Sequence, residues 1–359
     1  MDSLEKYFIS PDASVKEAIE KISLTGKKAV FVVDDKKKLL GLFADGDMRK
    51  FVLKNGDFSS PVKEAMNPHP TILKMKDKDS FDEIIKQSQF IVYPIVDENG
   101  VVVSAIFWDE IKKTLKDNPS FKLPEKMHTV IMAGGLGRRL YPYTKVLPKA
   151  LIPIGEYPIC THVINNFRKY GCQNFDLILN HKKNMIKAYY SEEKKDFEMS
   201  FYDETKFLGT AGGLSLLKGK IKDTFFVSNC DILVEADYSC IYKFHKKEGN
   251  LITVIGALKD VQIPYGVIHV EGKESAIHDI EEKPKFSFLT NVGVYVLEPE
   301  VIENMKEGEF IDMTDIITQY INNHKKVGVF PVPGDSWLDM GQIEEMKQMT
   351  AALEKRMEK

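Results

Sequence analysis

From residue 128 onward, apolar strand-like runs alternate with helix-like segments. The runs "TVIMAG" (129–134), "NFDLILN" (174–180) and "FFVSNCD" (225–231) are typical of buried strands, and "ICTHVINNFRKYG" between the first two has a helical pattern. Such alternation predicts βαβ units, and therefore an α/β fold with a mixed, mainly parallel sheet that is covered on both faces. Ligands of these sheets bind at the carboxyl ends of the strands, so residues there are the first candidates for function.

A glycine-rich stretch with several cationic side chains, "AGGLGRRLYPYTKVLPKAL" (133–151), follows the first strand. It does not complete the dinucleotide fingerprint, because Leu140 stands where the third glycine belongs, nor a P-loop, because Arg138 stands where a lysine is needed. A glycine turn can still bring backbone N–H groups close to an anion. With Arg139 inside it and Lys149 after it, the stretch is typical of a loop that binds a polyphosphate.

Two aspartates are candidates for a divalent cation. Asp231 closes the strand "FFVSNCD", at the edge where the glycine stretch begins, and Asp339 lies in "SWLDMG". Mg²⁺ commonly takes one or two carboxylates and completes its shell with water and phosphate oxygens, so two aspartates suffice. Taken singly, either one is more often a turn residue than a ligand.

The composition favours a protein that handles small molecules. The chain has 359 residues, enough for two or three domains, and 50 basic against 53 acidic residues leave a net charge of only −3. This balance does not indicate a nucleic-acid or membrane-surface partner. The sequence contains no membrane-spanning run and no leader pattern, and its four cysteines lack metal-site spacing, so we expect a cytoplasmic protein.

The first third of the chain contains an internal repeat. The segments "SVKEAIEKI" and "SFDEIIKQS" each open with a capping box, in which Ser14 is followed by Glu17 and Ser80 by Glu83. Each predicted helix is followed by a strand, a charged turn and a second strand. The duplicated unit is therefore helix, strand, turn, strand, helix.

This repeat resembles a tandem pair of CBS domains, at about residues 6–58 and 62–118. In that family an acidic residue after the second strand can hold a nucleotide ribose, and Asp47 and Asp109 occupy these positions, whereas Ala44 replaces the usual hydroxyl residue. The resemblance implies a nucleotide, or a nucleotide-activated end product, as an effector. A pair that only dimerises or acts as a scaffold is the alternative.

The second half resembles the sugar-1-phosphate nucleotidylyltransferases, which have a Rossmann-like fold. The resemblance spans about residues 128–345 and rests on motifs in the family's order: "GGLGRRL…PK", "LGTAG", "NCD", "EKP", "NVGVY" and "WLDMG". A linker at 116–126, rich in proline and charge, predicts a boundary between an N-terminal domain, 1–120, and a transferase domain, 127–359.

The resemblance assigns roles to individual residues. The nucleotide-binding residues would be Gly134, Gly135, Gly137, Arg138, Gly209, Thr210 and Gly212. The catalytic residues would be Arg139 at the triphosphate, Lys149 near the α-phosphate, and Asp231, which would bind Mg²⁺ together with Asp339. The sugar-binding residues would be Glu282, Lys283, Asn291, Gly293, Tyr265 and Gly266. The alternatives are a solvated turn for the glycine stretch, a plain helix start for "LGTAG" and a salt-bridged turn for "EEKPK".

The implied reaction is attack of a sugar-1-phosphate oxygen on the α-phosphorus of a nucleoside triphosphate, with loss of pyrophosphate. The nucleophile is already an anion, so the reaction needs positioning and cations rather than a general base. The "LGTAG" loop is similar to that of guanylyltransferases, which favours GTP. The fused CBS pair, without a C-terminal repeat domain, resembles the guanylyltransferases of glucosamine 1-phosphate on the GDP-sugar route to legionaminic acid.

Three further interpretations stay open at this stage. The sugar could be a heptose or mannose phosphate instead. The chain could also be a nucleotide-sensing regulatory protein whose transferase half is inactive. The final helical segment, "IEEMKQMTAALEKRMEK", is a candidate for pairing subunits, so we expect a homodimer or a higher homo-oligomer.

Overall fold

The computed structural model describes residues 4–25, 27–54, 56–75, 92–107, 122–271 and 276–357. Its contacts divide the chain into two units. The first consists of Met1–Asn118, Leu258–Leu289 and Pro331–Asp335, and the second of Pro119–Ala257, Thr290–Phe330 and Ser336–Lys359. No helix in the described ranges is both long and apolar enough to cross a membrane.

The helices and strands of the described residues are numbered here in chain order. The helices are α1 (Val15–Thr25), α2 (Asp45–Leu53), α3 (Tyr143–Val146), α4 (Ile159–Arg168), α5 (Lys183–Glu192), α6 (Tyr238–Glu248), α7 (Pro299–Glu303), α8 (Met313–Asn322) and α9 (Ile343–Met357). The strands are β1 (Phe8–Ile9), β2 (Ala29–Val33), β3 (Leu39–Ala44), β4 (Leu73–Lys74), β5 (Val92–Val96), β6 (Val102–Phe107), β7 (His128–Met132), β8 (Pro153–Ile154), β9 (Tyr157–Pro158), β10 (Asn174–Leu179), β11 (Glu198–Asp203), β12 (Phe225–Asn229), β13 (Ile232–Val234), β14 (Ile252–Gln262), β15 (Gly266–Glu271), β16 (Ala276–Glu282), β17 (Lys285–Leu297), β18 (Val327–Val332) and β19 (Trp337–Asp339).

The first unit contains the repeat seen in the sequence. Strands β1, β2 and β3 form one sheet and β4, β5 and β6 another, and in each the first pair is parallel and the second antiparallel. Even the irregularity recurs, since the register shifts at Val33 in one sheet and at Val96 in the other. The capping box of α1 is confirmed, because Ser14 N donates to Glu17 at 2.7 Å and Glu17 N donates to Ser14 Oγ at 3.1 Å. The second predicted box, at Ser80, lies outside the described residues.

The second unit is built on a seven-stranded sheet of order β11, β10, β7, β12, β17, β14, β18. Its first four strands are parallel, and β17 runs antiparallel to β12. Helices cover both faces: α7 and α8 pack with Val130 and Val227 on one, and Phe167 of α4 and Tyr238 of α6 pack around Phe226 on the other. The predicted α/β fold with a mixed, mainly parallel sheet is therefore confirmed, and its strands are largely apolar because both faces are covered.

A buried polar network anchors the end of β17 to α6. His245 is fully buried, with Nδ1 2.8 Å from Thr253 Oγ1 and Nε2 3.2 Å from Glu298 Oε1. Lys246 Nζ and Thr224 Oγ1 also donate to Glu298, at 2.7 and 2.9 Å. Burial alone would raise the pKa of Glu298, but the hydrogen bonds from His245, Lys246 and Thr224 outweigh it and lower the pKa to about 2.

We expect Glu298→Gln to lower the free energy of unfolding at pH 7 by about 1–3 kcal/mol, because a charged acceptor with several donors is lost. A carboxylate with a lowered pKa stabilises the fold above its unfolded pKa, so the difference should shrink as pH falls from about 4.5 toward 2. Urea unfolding of both proteins across this range measures it. Glu300→Gln is the control, since Glu300 pairs only with Lys325 at the surface, at 3.5 Å. A constant difference across pH would contradict the network.

Candidate active site

The loops that follow the parallel strands converge at one edge of the sheet. Gly134, directly after β7, lies against Asn180 after β10 and Glu204 after β11. A Cβ atom on Gly134 would stand only 2.9 Å from Glu204 Oε2 and 3.1 Å from Asn180 Cβ. A larger residue at Gly134 would displace the Glu204 carboxylate and crowd Asn180, so glycine leaves room for the present arrangement of both side chains.

Gly135 of the glycine stretch is exposed. Apart from its chain neighbours, no atom of the described residues lies within 4 Å of the position that a Gly135 side chain would take. Gly137 has a positive φ of 63° and its carbonyl accepts a hydrogen bond from Thr144 Oγ1 at 2.9 Å, which closes the turn. Arg138 and Arg139 follow on a short 3₁₀ turn, and both are exposed. Two guanidinium groups are therefore presented beside open backbone, as an anion-binding loop requires.

The structure brings Lys149, Asp231 and Asp339 together. Lys149 Nζ forms an ion pair with Asp231, whose side chain is only 6% exposed. Asp339 ends β19, which pairs antiparallel with β13, so Asp339 stands opposite Ile232, next to Asp231. Met340 N donates to the Asp231 carbonyl at 3.1 Å and fixes this arrangement. Lys149, which is half-buried, thus contacts the Asp231 carboxylate directly, and it also feels the charge of Asp339 from a distant part of the chain.

The charges of this group influence one another. Burial would lower the pKa of Lys149, but the negative charge of Asp231, with a smaller effect from Asp339, raises it. Burial raises the pKa of Asp339, and the charges of Asp231 and Glu345 raise it further. Burial also raises the pKa of Cys230, so this thiol stays protonated and is no nucleophile.

The "LGTAG" loop packs against the segment that precedes α8. Side chains on Gly209 or Gly212 would collide with the carbonyl oxygens of Ile311 or Glu309, at 2.6 and 2.4 Å. The N–H groups of Ala211 and Gly212 both donate to Ile311 O at 3.1 Å. In this structure the two glycines allow the loop to approach the backbone of Glu309 and Ile311 closely. Their role in binding the nucleotide base stays a prediction.

Thr210 of the same loop is paired with Asp312. Thr210 N and Oγ1 lie 2.8 and 3.0 Å from Asp312 Oδ1, and Met313 N donates to Thr210 Oγ1 at 3.0 Å. The pair thereby satisfies the first N–H groups of α8. Both residues line a neighbouring cavity, so the helix start and the cavity share one wall.

This cavity has a volume of about 360 Å³. Its polar lining residues include Thr210, Asn229, Asn291, Asp312, Trp337 and Asp339. Asn291 Nδ2 donates to Tyr295 Oη at 2.9 Å, and Asn291 Oδ1 accepts from Gly293 N at 2.9 Å. Gly293 has a φ of 78°, and a Cβ there would lie 2.4 Å from Asn229 Nδ2. The structure thus places Asn291 and Gly293 in one cavity wall with Asp339.

The remaining predicted sugar residues lie in the first unit. Gly266 at the start of β15 pairs with Glu282 at the end of β16, and Lys283 N donates to the Tyr265 carbonyl at 3.3 Å. Lys283 Nζ stands 4.0 Å from Glu282 Oε1. These four residues form one exposed cluster at the base of the β15–β16 hairpin.

Of the two predicted CBS ligands, only Asp47 is among the described residues. Its Oδ2 accepts from Ala44 N at 3.2 Å and its Oδ1 lies 3.4 Å from Lys50 Nζ, so the carboxylate caps α2. Burial raises the pKa of Asp47. Asp109 lies outside the described residues, and both nucleotide-binding roles stay predictions.

Asn180 and Glu204 are two further candidates that no sequence motif indicates. Glu204 Oε1 and Asn180 Nδ2 are buried and have no hydrogen-bond partner among the described residues. Burial raises the pKa of Glu204 to about 7, and a hydrogen-bonding interaction with the Asn180 side chain, which falls outside strict hydrogen-bond geometry, lowers it only in part. Their position at the carboxyl ends of adjacent strands was a usable signal. Buried polar atoms without partners are costly, so a ligand that pairs with them gains affinity.

Comparisons with known proteins agree with this architecture. Residues 128–356 match the family model described as nucleotidyl transferase, and residues 5–54 match the CBS domain model. A mannose-1-phosphate guanyltransferase 2 of Candida glabrata is 32% identical over 225 residues, which is 60% of this chain and 62% of that protein. A mannose-1-phosphate guanyltransferase of Schizosaccharomyces pombe is 31% identical over 224 residues, 60% and 61% of the two chains. The chain thus spans less than two thirds of the curated relatives that it matches.

Among solved structures, HddC from Yersinia pseudotuberculosis complexed with GMP-PN is similar in fold. The match has a TM-score of 0.50 and 21% identity, and it covers 63% of this chain and 99% of that one. The family model spans well over half of the residues. The chain therefore belongs to the nucleotidyl transferase family, with an N-terminal CBS domain, and the relatives that it resembles act on sugar 1-phosphates.

Proposed function

We propose that the protein transfers the guanylyl group of GTP to a sugar 1-phosphate, giving a GDP-sugar and pyrophosphate in an Mg²⁺-dependent reaction. The observation that carries this proposal is the pair of buried atoms without partners at the strand ends, the Glu204 carboxylate oxygen and the Asn180 amide nitrogen. The names of the curated relatives support the same base.

Guanine suits that pair by its hydrogen-bonding edge. It presents an acceptor, O6, beside two donors, N1–H and N2–H₂. An ionised carboxylate only accepts hydrogen bonds, and an amide nitrogen only donates. Glu204 can therefore take the two donors while Asn180 takes O6, whereas adenine, cytosine, uracil and thymine offer no two adjacent donors.

Asp231 and Asp339 fit a divalent cation. Neighbouring carboxylates that leave room for water and phosphate oxygens match the ligand preference of Mg²⁺. When bound, the ion supplies positive charge to the phosphates and so stabilises the charge that develops on the leaving pyrophosphate. In the proposed site Arg138 and Arg139 hold the outer phosphates, and Lys149 neutralises charge at the α-phosphate.

Glucosamine 1-phosphate, on a route to legionaminic acid, is the proposed acceptor. The cavity beside the metal residues carries the carboxylates of Asp312 and Asp339 and no lysine or arginine among its described lining residues. With Asp339 assigned to the metal, the remaining carboxylate of Asp312 favours a sugar that bears an ammonium group over a neutral one. The proposed additional contacts are Asn291, Gly293 and the cluster of Glu282, Lys283, Tyr265 and Gly266. The names of the relatives favour mannose 1-phosphate as the second candidate.

Two further roles extend the proposal. The CBS pair would bind a nucleotide or a nucleotide-activated end product near Asp47 and Asp109 and would adjust the transferase. The protein would act in the cytoplasm as a homodimer or higher homo-oligomer. If no tested nucleotide changes the transferase rate, the regulatory role is contradicted, and a monomer in light scattering would contradict the oligomer. Neither result would contradict the proposed transferase reaction.

A substrate panel tests the proposed reaction. Protein with Mg²⁺ and glucosamine 1-phosphate, or mannose 1-phosphate, is mixed separately with GTP, UTP, CTP, dTTP or ATP, and pyrophosphate release is followed. We expect release with GTP and faster turnover of glucosamine 1-phosphate. Pyrophosphate release with another triphosphate instead of GTP would overturn the assignment of guanine. No release with any pair of substrates would favour a regulatory protein without catalysis.

A further inference from the structure

The Asp231 carboxylate, which is proposed to bind the metal, also forms an ion pair with Lys149. The Lys149 side chain is 18% exposed and the Asp231 side chain 6%, and they are in direct contact. Lys149 contacts Asp231 Oδ2, so a divalent cation that binds this carboxylate lies close to the Lys149 ammonium group. In so buried a place two cations on one carboxylate repel strongly, because little water screens them.

The Lys149 ammonium group has a second possible binding position, beside the glycine turn. Its Cβ lies 3.3 Å from the position of a Cβ on Gly137, so the lysine stem runs along the glycine turn. The side chain extends from a short 3₁₀ turn, Lys149–Leu151. Rotation about the side-chain bonds of Lys149 does not disturb this turn. The ammonium group can therefore exchange Asp231 for a phosphate oxygen beside Gly137 without movement of the backbone.

The second carboxylate does not replace the first. Asp339 shares its surroundings with Glu345, since a Cβ on Gly341 would lie 3.1 Å from Asp339 Oδ1 and 3.2 Å from Glu345 Oε2. No group of three or more potential metal ligands is found among the described residues. A metal ion without the triphosphate therefore finds fewer than three grouped protein ligands in the described part of the chain, and one of them, Asp231, already pairs with Lys149.

We infer, on the basis of the proposed function, that Lys149 occupies Asp231 in the nucleotide-free protein, so that the site accepts the metal as its complex with the triphosphate rather than as a free ion. When that complex arrives, a phosphate oxygen takes over the Lys149 ammonium and Asp231 is released to the metal. The lysine therefore excludes free metal before it contributes to catalysis.

Binding of Mn²⁺ to the nucleotide-free protein, followed by electron paramagnetic resonance, tests this exchange without any turnover. We expect Lys149→Met to bind Mn²⁺ about tenfold or more tightly than the native protein, because a positive charge next to the site is gone. Lys149→Arg keeps the charge and should bind as weakly as the native protein. Lys145→Met is the matched control, since Lys145 lies over the Tyr141 ring.

The double variant Lys149→Met, Asp231→Asn distinguishes a failure of the proposed lysine exchange from a failure of the proposed metal role of Asp231. If the gain in affinity disappears in the double variant, both the exchange and the metal role of Asp231 stand. If Lys149→Met shows a gain that survives Asp231→Asn, the metal assignment in the proposed function is wrong. If Lys149→Met binds no more tightly than the native protein, the exchange is wrong, and Lys149→Gln gives the same answer should the methionine variant not fold.

Discussion

Asp231→Asn is expected to lower turnover about a hundredfold or more while the protein stays folded. In the proposed mechanism this carboxylate holds the metal that stabilises the leaving pyrophosphate, and loss of such electrostatic stabilisation commonly costs that much. Asparagine keeps the shape of aspartate, and Asp339 remains near Lys149 as a source of negative charge. The measurement is pyrophosphate release with Mg²⁺, together with a thermal melt.

A second aspartate of the same unit supplies the control. Asp237 caps α6 by accepting from Cys240 N at 3.0 Å and is not part of the site. Because asparagine caps helices as well as aspartate does, Asp237→Asn should leave turnover and melting unchanged. Full activity of Asp231→Asn with Mg²⁺ would remove Asp231 from the metal site, and equal losses in both variants would indicate a general effect on folding.

Glu204→Gln is expected to weaken selection for guanine by about tenfold or more. Glutamine offers one acceptor and one donor, so its amide nitrogen would face a donor of guanine and leave a buried group unpaired. ITP isolates this contact, because hypoxanthine lacks the N2 amino group. The native protein should prefer GTP to ITP in kcat/KM, and this preference should fall in the variant.

The same carboxylate predicts a pH dependence. Guanine needs ionised Glu204, and burial holds its pKa at about 7, so kcat/KM for GTP should rise as pH increases through about 7 and then level off. Glu204→Gln should abolish this rise. Asp203→Asn is the neighbouring control, since Asp203 pairs with Lys183 and Lys187 at the surface. An unchanged GTP preference in Glu204→Gln would exclude Glu204 as the base-reading residue.

Local patterns explain which elements were predictable. The strand that precedes the glycine stretch and the helix that Ser14 caps depend on neighbours within a few positions, and both are confirmed. The two glycines of "LGTAG" show the opposite case. Their close contacts are with Glu309 and Ile311, about a hundred positions away, so the sequence marks a need for glycine without naming the partner.

Glu204 was missed for a related reason. In the sequence it is an ordinary acidic residue in a polar turn, with no motif around it. Glu204 becomes buried, with a raised pKa and an oxygen that lacks a hydrogen-bond partner among the described residues, only when β10 and β11 pair and bring it against Gly134. Environment, rather than residue type, makes this carboxylate a candidate for reading the base.

Hydrophobic period and backbone freedom are local properties, so the alternation of strands and helices, the repeat in the first third, and the glycine stretch with its cations could be derived from the sequence. The folded arrangement was needed to show that Asp339 pairs next to Asp231, that Lys149 pairs with Asp231, and that Glu204 Oε1 and Asn180 Nδ2 are buried without a regular hydrogen bond among the described residues. These relations join residues far apart in the chain. They depend on strand order and burial, which set distance and local dielectric and therefore the chemistry of each side chain.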